Sequence, residues 1–247
     1  MGAQNILGIF DSGVGGFSVL KEIRKSSNAD IVYYGDCARA PYGNRSEEEI
    51  LSFIKEDINF LEEKEVTHFV NACNSMSVIT TNKLLDECGI DSSRYTDMIR
   101  AFDAHAIYTH ADRVPVLATA ATMRSGIYQD VITKKGGKVY EYVFSDLAFA
   151  IENNATRDEL LEIIRRGVMY AKEIEATEVL YGCTHYPLIH GLFLVAQEEI
   201  GWEGTFINPA VYVEKEVRKW KLEGNRKLYP HSSKDTAMFI KNIVQLL

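Results

Sequence analysis

Apolar runs that stop at small or polar residues recur along the whole chain, at residues 6–10, 31–34, 69–70, 114–118, 139–144, 179–181 and 205–207. Each reads as a strand, and between them the apolar positions change to helical spacing. Ser46 and Glu49 form a capping-box pair, in which each side chain can satisfy the other's backbone N–H. Behind them Ile50, Phe53, Ile54, Ile58 and Leu61 fall on one helical face. Thr156 and Glu159 repeat the device ahead of Leu160, Leu161, Ile164, Val168 and Ala171. Strands that alternate with helices predict an α/β fold of mostly parallel sheets with helices packed on their faces. Ligands in such sheets bind at the carboxyl ends of the strands.

The pattern also repeats at long range. The first strand ends at Asp11-Ser12-Gly13, and well downstream an apolar run delivers Cys73. A later strand ends at Ala118-Thr119, and at nearly the same distance another apolar run delivers Cys183. Both cysteine runs begin at a threonine, Thr67 and Thr177, and both thiols are followed by small amide or hydroxyl side chains. We therefore expect two pseudo-symmetric lobes, residues 1–97 with 210–247 and residues 98–209, sharing one cleft. Any α/β chain can offer such spacings by chance, and the matched cysteine contexts favour the two-lobe reading.

Composition narrows the function. The chain has 247 residues, of which 46% are hydrophobic and 25% charged, and its net charge of -8 argues against nucleic acid or an anionic membrane as partner. No segment nears the ~20 apolar residues that span a bilayer. The Met1-Gly2-Ala3-Gln4 start lacks a basic region and a long apolar stretch, and position 6 is not the Ser or Thr of a myristoylation motif, so a cytoplasmic protein is expected. Cys37, Cys73, Cys88 and Cys183 are expected to be free thiols, either buried and inert or catalytic. Cys183 and His185 could supply two metal ligands, but no second cluster completes a set, and no metal is expected.

Three loops follow strands. Asp11-Ser12-Gly13-Val14-Gly15-Gly16 opens a helix and could turn backbone N–H groups toward an anion. Its spacing matches neither a dinucleotide fingerprint nor a Lys-bearing phosphate loop. Asp11 fits a phosphoryl acceptor poorly, since residues 12–16 supply no second acid, and on this segment alone a helix cap is as good a reading as a functional role. The second loop, residues 36–43, bends at Pro41 and Gly43 and offers Tyr42. The third carries Thr119 and Thr122, hydroxyls suited to a carboxylate, an ammonium or a helix cap. A cysteine ending an apolar strand is often only a small buried hydrophobe. Two such thiols at one cavity would instead supply an acid and a base to opposite faces of one carbon, with Asp11 and His185 placed to tune them.

The segments at residues 11–16, 36–43, 72–75, 118–128 and 182–188 together resemble bacterial glutamate racemases in order and spacing, and the resemblance spans nearly the whole chain. It implies two α/β lobes, no cofactor, a homodimer, and interconversion of L- and D-glutamate to supply peptidoglycan. Cys73 and Cys183 would be the acid/base thiols, Cys73 for D-glutamate and Cys183 for L-glutamate, assisted by Asp11 and His185 respectively. Ser12, Pro41, Tyr42, Gly43, Asn74, Ser75, Thr119, Thr122 and Thr184 would bind the substrate, with Asn74 and the threonines accepting from its ammonium. The chain departs from the family pattern at Cys37, Ser75, Met76, residues 98–103 and Asn208. The prolines expected before Glu152, which stands where the family has a buried acid, are absent. A related racemase of aspartate or another small dicarboxylate is the alternative.

Overall fold

The computed structural model describes residues 5–108, 113–237 and 239, so the expectations resting on residues 1–4 lie outside the described residues. Nine strands form two sheets among them: β1 (Ile6–Asp11), β2 (Asp30–Gly35), β3 (His68–Asn71), β4 (Tyr95–Asp97), β5 (Arg113–Ala118), β6 (Lys138–Val143), β7 (Glu178–Gly182), β8 (Thr205–Ile207) and β9 (Leu228–Ser232). The first sheet runs β4-β3-β1-β2-β9 and the second β6-β5-β7-β8. Every pairing is parallel. Read from its β2 side, the first sheet has the order β2-β1-β3-β4, which the second repeats as β6-β5-β7-β8. The long-range echo in the sequence is thus a repeated strand order.

Both faces of each sheet are covered, which is why the strands read as continuous apolar runs. Side chains alternate between faces: Leu7, Ile9, Ile31, Tyr33 and Val70 enter one core, while Phe10, Val32 and Phe69 enter another. The first core is closed by the helices Phe17–Ile23 and Ala210–Lys219, the other by Glu47–Glu62 and Asn82–Glu87. In the second sheet Leu117, Val179 and Tyr181 pack under Arg157–Glu173 and His190–Ile200, and Val114, Val116 and Leu180 under Ile127–Lys134. Both capping boxes form as the sequence suggests.

The pattern did not reveal β4 or β9. Both are edge strands; β4 is three residues long, and β9 carries Pro230, which lacks a ladder N–H and is tolerated only at an edge or bulge. Among the described residues no helix is long and apolar enough to cross a membrane.

One helix ties the lobes together. In Met98–His105, Met98 and Ala101 enter a core of the first sheet, whereas Ile99 and Phe102 enter a core of the second. Phe102 is fully buried, with the rings of Tyr128 and Tyr212 at 5.1 Å and 6.0 Å. Phe102→Ala should therefore cost about 3–5 kcal/mol of unfolding free energy, measured by urea denaturation. A loss below about 1 kcal/mol would remove this helix as the joint between the lobes.

Candidate active site

The chain reverses direction across each sheet beside its first strand, β1 or β5, and such reversals open a crevice at the strand ends. Asp11 and Cys73 flank the crevice between β1 and β3, and Thr119 and Cys183 the one between β5 and β7. The two crevices meet in one interlobe cavity. Its walls include Ser12, Pro41, Tyr42, Gly43, Cys73, Asn74, Ser75, Thr119, Cys183, Thr184 and His185. Ala148, from the second lobe, also lines it and carried no signal in the sequence. Two expected residues do not reach the wall. Asp11 is buried behind it, and Thr122 lies one hydrogen bond away, with its hydroxyl 3.1 Å from that of Thr119. Thr119 also caps the helix Ala120–Arg124.

Cys73 sits where β3 gives way to the short helix Asn74–Ser77. Its N–H donates to Asn71 Oδ1 at 3.1 Å, and its Sγ lies 3.5 Å from Ser12 Oγ. Burial pushes the thiol up to about 12, and the neighbouring Asp11 carboxylate adds to the shift. Asp11 accepts from Gly13 N at 2.8 Å and from Thr184 Oγ1 at 3.1 Å. Asp11 thus reaches Cys73 through its charge, and its hydrogen bond crosses to the lobe of Cys183. Burial raises its carboxyl to about 6, against the opposing pull of His185. It does not cap the helix Phe17–Ile23, whose N-cap is Gly16.

The neighbour of Cys183 is a histidine. The Cys183 Sγ lies 3.6 Å from His185 Nδ1, and His185 Nε2 lies 2.7 Å from Glu152 Oε1. Burial pushes His185 down, but Cys183 and Glu152 outweigh it and hold the ring well above its usual value. Glu152 stays below the usual carboxylate range, because His185 and the Val14 N–H outweigh the effect of burial.

The glycine loop gains a physical explanation here. Val14 N does donate to an anion, and that anion is Glu152 of the same chain, at 2.8 Å. A Cβ on Gly13 would lie 2.0 Å from Glu152 Oε1, and one on Gly15 2.5 Å from Thr184 Oγ1 and 2.6 Å from His185 Nδ1. The sequence offered the glutamate only through the weakly matched segment around Glu152.

Asn74 is oriented differently from expectation. The Tyr128 hydroxyl donates to its Oδ1. Its Nδ2 is buried without a partner among the described residues, so the amide presents a donor to the cavity, which suits a carboxylate and not an ammonium. The Ser75 and Thr119 hydroxyls meet across the lobes at 3.2 Å. The cavity itself is narrow, with an accessible volume of ≈ 20 Å³, room for about one water. No group of three or more His, Cys, Asp or Glu suited to a metal occurs among the described residues.

Fold and site define a two-lobed α/β protein with one thiol from each lobe in a shared, narrow cavity. No family model matches the chain. The glutamate racemase of Thermoanaerobacter sp. (strain X514) is 31% identical over 254 residues, covering 98% of this chain and 92% of that one. The crystal structure of glutamate racemase from Francisella tularensis, solved in complex with D-glutamate, has a TM-score of 0.83 at 25% identity and covers 99% of this chain and 94% of that one. The aspartate racemase of Picrophilus torridus, at 16% identity and a TM-score of 0.60, over 88% of this chain and 98% of that one, shares the fold alone. The chain belongs to the glutamate racemase family.

Glu152→Gln removes one of the two partners that hold His185 up, so the ionisation of His185 should move down. Nuclear magnetic resonance titration of its ring follows this directly. An unchanged or raised value would mean that Glu152 does not bear on the histidine.

Proposed function

We propose that the protein interconverts L- and D-glutamate by exchanging the α-proton between two thiols, without a cofactor. The observation that carries this reading is the pair Cys73 and Cys183, one from each lobe, on the wall of one cavity. One sulfur, as thiolate, removes the α-proton. The other, as thiol, returns a proton to the opposite face of the carbon, which inverts it. A thiol raised to about 12 suits Cys73 to the role of proton donor at the outset. His185, between Cys183 and Glu152, can store and return the proton that Cys183 exchanges. In this reading Asp11 acts on Cys73 as a buried charge.

The intermediate resembles a carbanion, and donors aimed at the carboxylate stabilise it best where water is excluded. Asn74 Nδ2 and the hydroxyls of Ser12, Ser75, Thr119 and Thr184 are suited to hold the substrate, together with the turn at Pro41, Tyr42 and Gly43. Thr122 supports Thr119 from behind. A cavity with room for about one water cannot admit an amino acid, so the lobes, taken as residues 1–97 with 210–247 and residues 98–209, must part in each turnover. Family membership supports a homodimer and a role in supplying D-glutamate for peptidoglycan in the cytoplasm. A second reading, racemisation of aspartate, rests on Ser75, whose hydroxyl is engaged with Thr119. One methylene of substrate length discriminates by only about 1–3 kcal/mol.

In D₂O the wild-type protein should wash deuterium into the α-position of both glutamate enantiomers, followed by mass spectrometry and circular dichroism. Cys73→Ala and Cys183→Ala should each lower racemisation by at least about 10²–10⁴-fold. A single variant that still racemises at near wild-type rate would end the two-thiol reading. Exchange with aspartate but not with glutamate would move the assignment to the second reading.

A further inference from the structure

The loop between β1 and the helix Phe17–Ile23 carries three glycines, of which two face the second lobe. Gly13 and Gly15 make room for Glu152, Thr184 and His185, whereas Gly16 makes room for a residue of its own lobe. A Cβ on Gly16 would lie 2.5 Å from the hydroxyl oxygen of Tyr33. Tyr33, on β2, is fully buried. Its ring stacks on Phe17, with centroids 4.2 Å apart, and has the ring of Phe239 at 5.8 Å. A phenol hydroxyl in such a core needs a partner. It donates to Gly13 O at 2.9 Å.

That carbonyl belongs to the same peptide group as the Val14 N–H, which donates to Glu152 Oε1 at 2.8 Å. Two hydrogen bonds thus grip one amide from its opposite ends. The group is planar and trans, so its C=O and N–H point in opposite directions. Holding the oxygen toward the core of the first lobe therefore aims the N–H at the second lobe. Gly13 has no side chain to resist rotation of this plane, and its own N–H is spent on Asp11 at 2.8 Å. Donation to the carbonyl also polarises the amide and strengthens its N–H as a donor. The oxygen that receives it, Glu152 Oε1, is the one that lies 2.7 Å from His185 Nε2, and His185 Nδ1 lies 3.6 Å from Cys183 Sγ.

We propose that Tyr33 is a positioning residue for the Cys183 half of the reaction: its hydroxyl orients the Gly13–Val14 peptide, and through the Val14 N–H it sets Glu152 against His185. The proposal deepens the two-thiol reading and rests on it. The charged and titratable groups around Glu152 are His185 and Lys234, which hold its carboxyl down, with Asp11 and Cys37 on the side of the first lobe. Tyr33 itself, pushed well above its usual value by burial, stays neutral. A hydroxyl that merely satisfied a core carbonyl would have no bearing on Glu152.

Tyr33→Phe deletes the hydroxyl and keeps the ring on Phe17. A carboxylate that loses a well-aimed N–H donor is easier to protonate, so the ionisation of Glu152 should move up. Carbon-13 magnetic resonance titration of the glutamate side-chain carboxyls reads this, with the Glu152 signal assigned by its loss in Glu152→Gln. The kcat/KM for glutamate should fall about threefold to tenfold, the size of one hydrogen bond, and equally for the two enantiomers. Ile23→Val, a truncation in the same core, is the control for packing: it should lower the thermal midpoint and leave Glu152 where it is. A Glu152 signal that titrates in Tyr33→Phe as in wild type, or that moves as far in Ile23→Val, would overturn the proposal. An unchanged kcat/KM in Tyr33→Phe would overturn it too. If wild type fails to racemise glutamate while Tyr33→Phe still moves Glu152, the catalytic reading falls and the hold of Tyr33 on Glu152 stands.

Discussion

Two lobes can share a cavity this small only if one of them surrenders side chains where the other enters. That constraint falls on the loop after β1. Glu152, Thr184 and His185 of the second lobe fill the space that side chains on Gly13 and Gly15 would need, and the freed N–H of Val14 holds the incoming carboxylate. The interface is correspondingly polar: Thr184 donates to Asp11, Tyr128 to Asn74, and the Ser75 and Thr119 hydroxyls meet. Each contact pairs a buried group that would otherwise carry the full cost of desolvation. The polar seam and the helix Met98–His105 therefore fix the lobes from opposite kinds of interaction. On the proposed reading, a seam made of hydrogen bonds suits a cavity that opens, whereas the apolar joint at Phe102 suits a hinge.

Burial also sets the chemistry. Taking the site out of water raises Asp11 and Cys73 together, and the same low-dielectric surroundings strengthen the pull of Cys183 and Glu152 on His185. Groups whose environments push their ionisation in different directions are what acid–base work at one pH requires. The two thiols have unlike partners. Cys73 has a serine hydroxyl and a buried carboxyl, and Cys183 has a histidine backed by a glutamate.

The sequence carried the architecture where burial is two-sided and periodic. Ile9, Ile31 and Val179 lie in runs long enough to be read as strands, and Ser46 and Thr156 marked helix starts that form as written. It carried less at the margins. The strands β4 and β9 are short edges with little apolar repetition, and Pro230 reads against a strand everywhere except at an edge. In the candidate site, residues were identifiable by type and spacing, but not by orientation. Which way the Asn74 amide faces depends on Tyr128, distant in sequence, and the purpose of Gly13 depends on Glu152. The shared contact of Asp36 and Asp57 with Arg39 was invisible for the same reason, because a lone aspartate on the helix Glu47–Glu62 reads as a solvated charge until the fold closes over it.

The repeated strand order makes a last point about symmetry. The enantiomers of an amino acid have equal free energies in water, so a catalyst that interconverts them works across a balanced equilibrium. On the proposed reading, balance constrains only the sum of the steps and does not require matching helpers on the two thiols. A fold built from two copies of one strand order can therefore supply two thiols at equivalent places, at the crevice ends of β3 and β7, while each lobe stabilises its own thiol differently. What must be equivalent is position, since both sulfurs have to reach one carbon. What may diverge is electrostatics, and the contrast between Ser12 with Asp11 and His185 with Glu152 is that divergence.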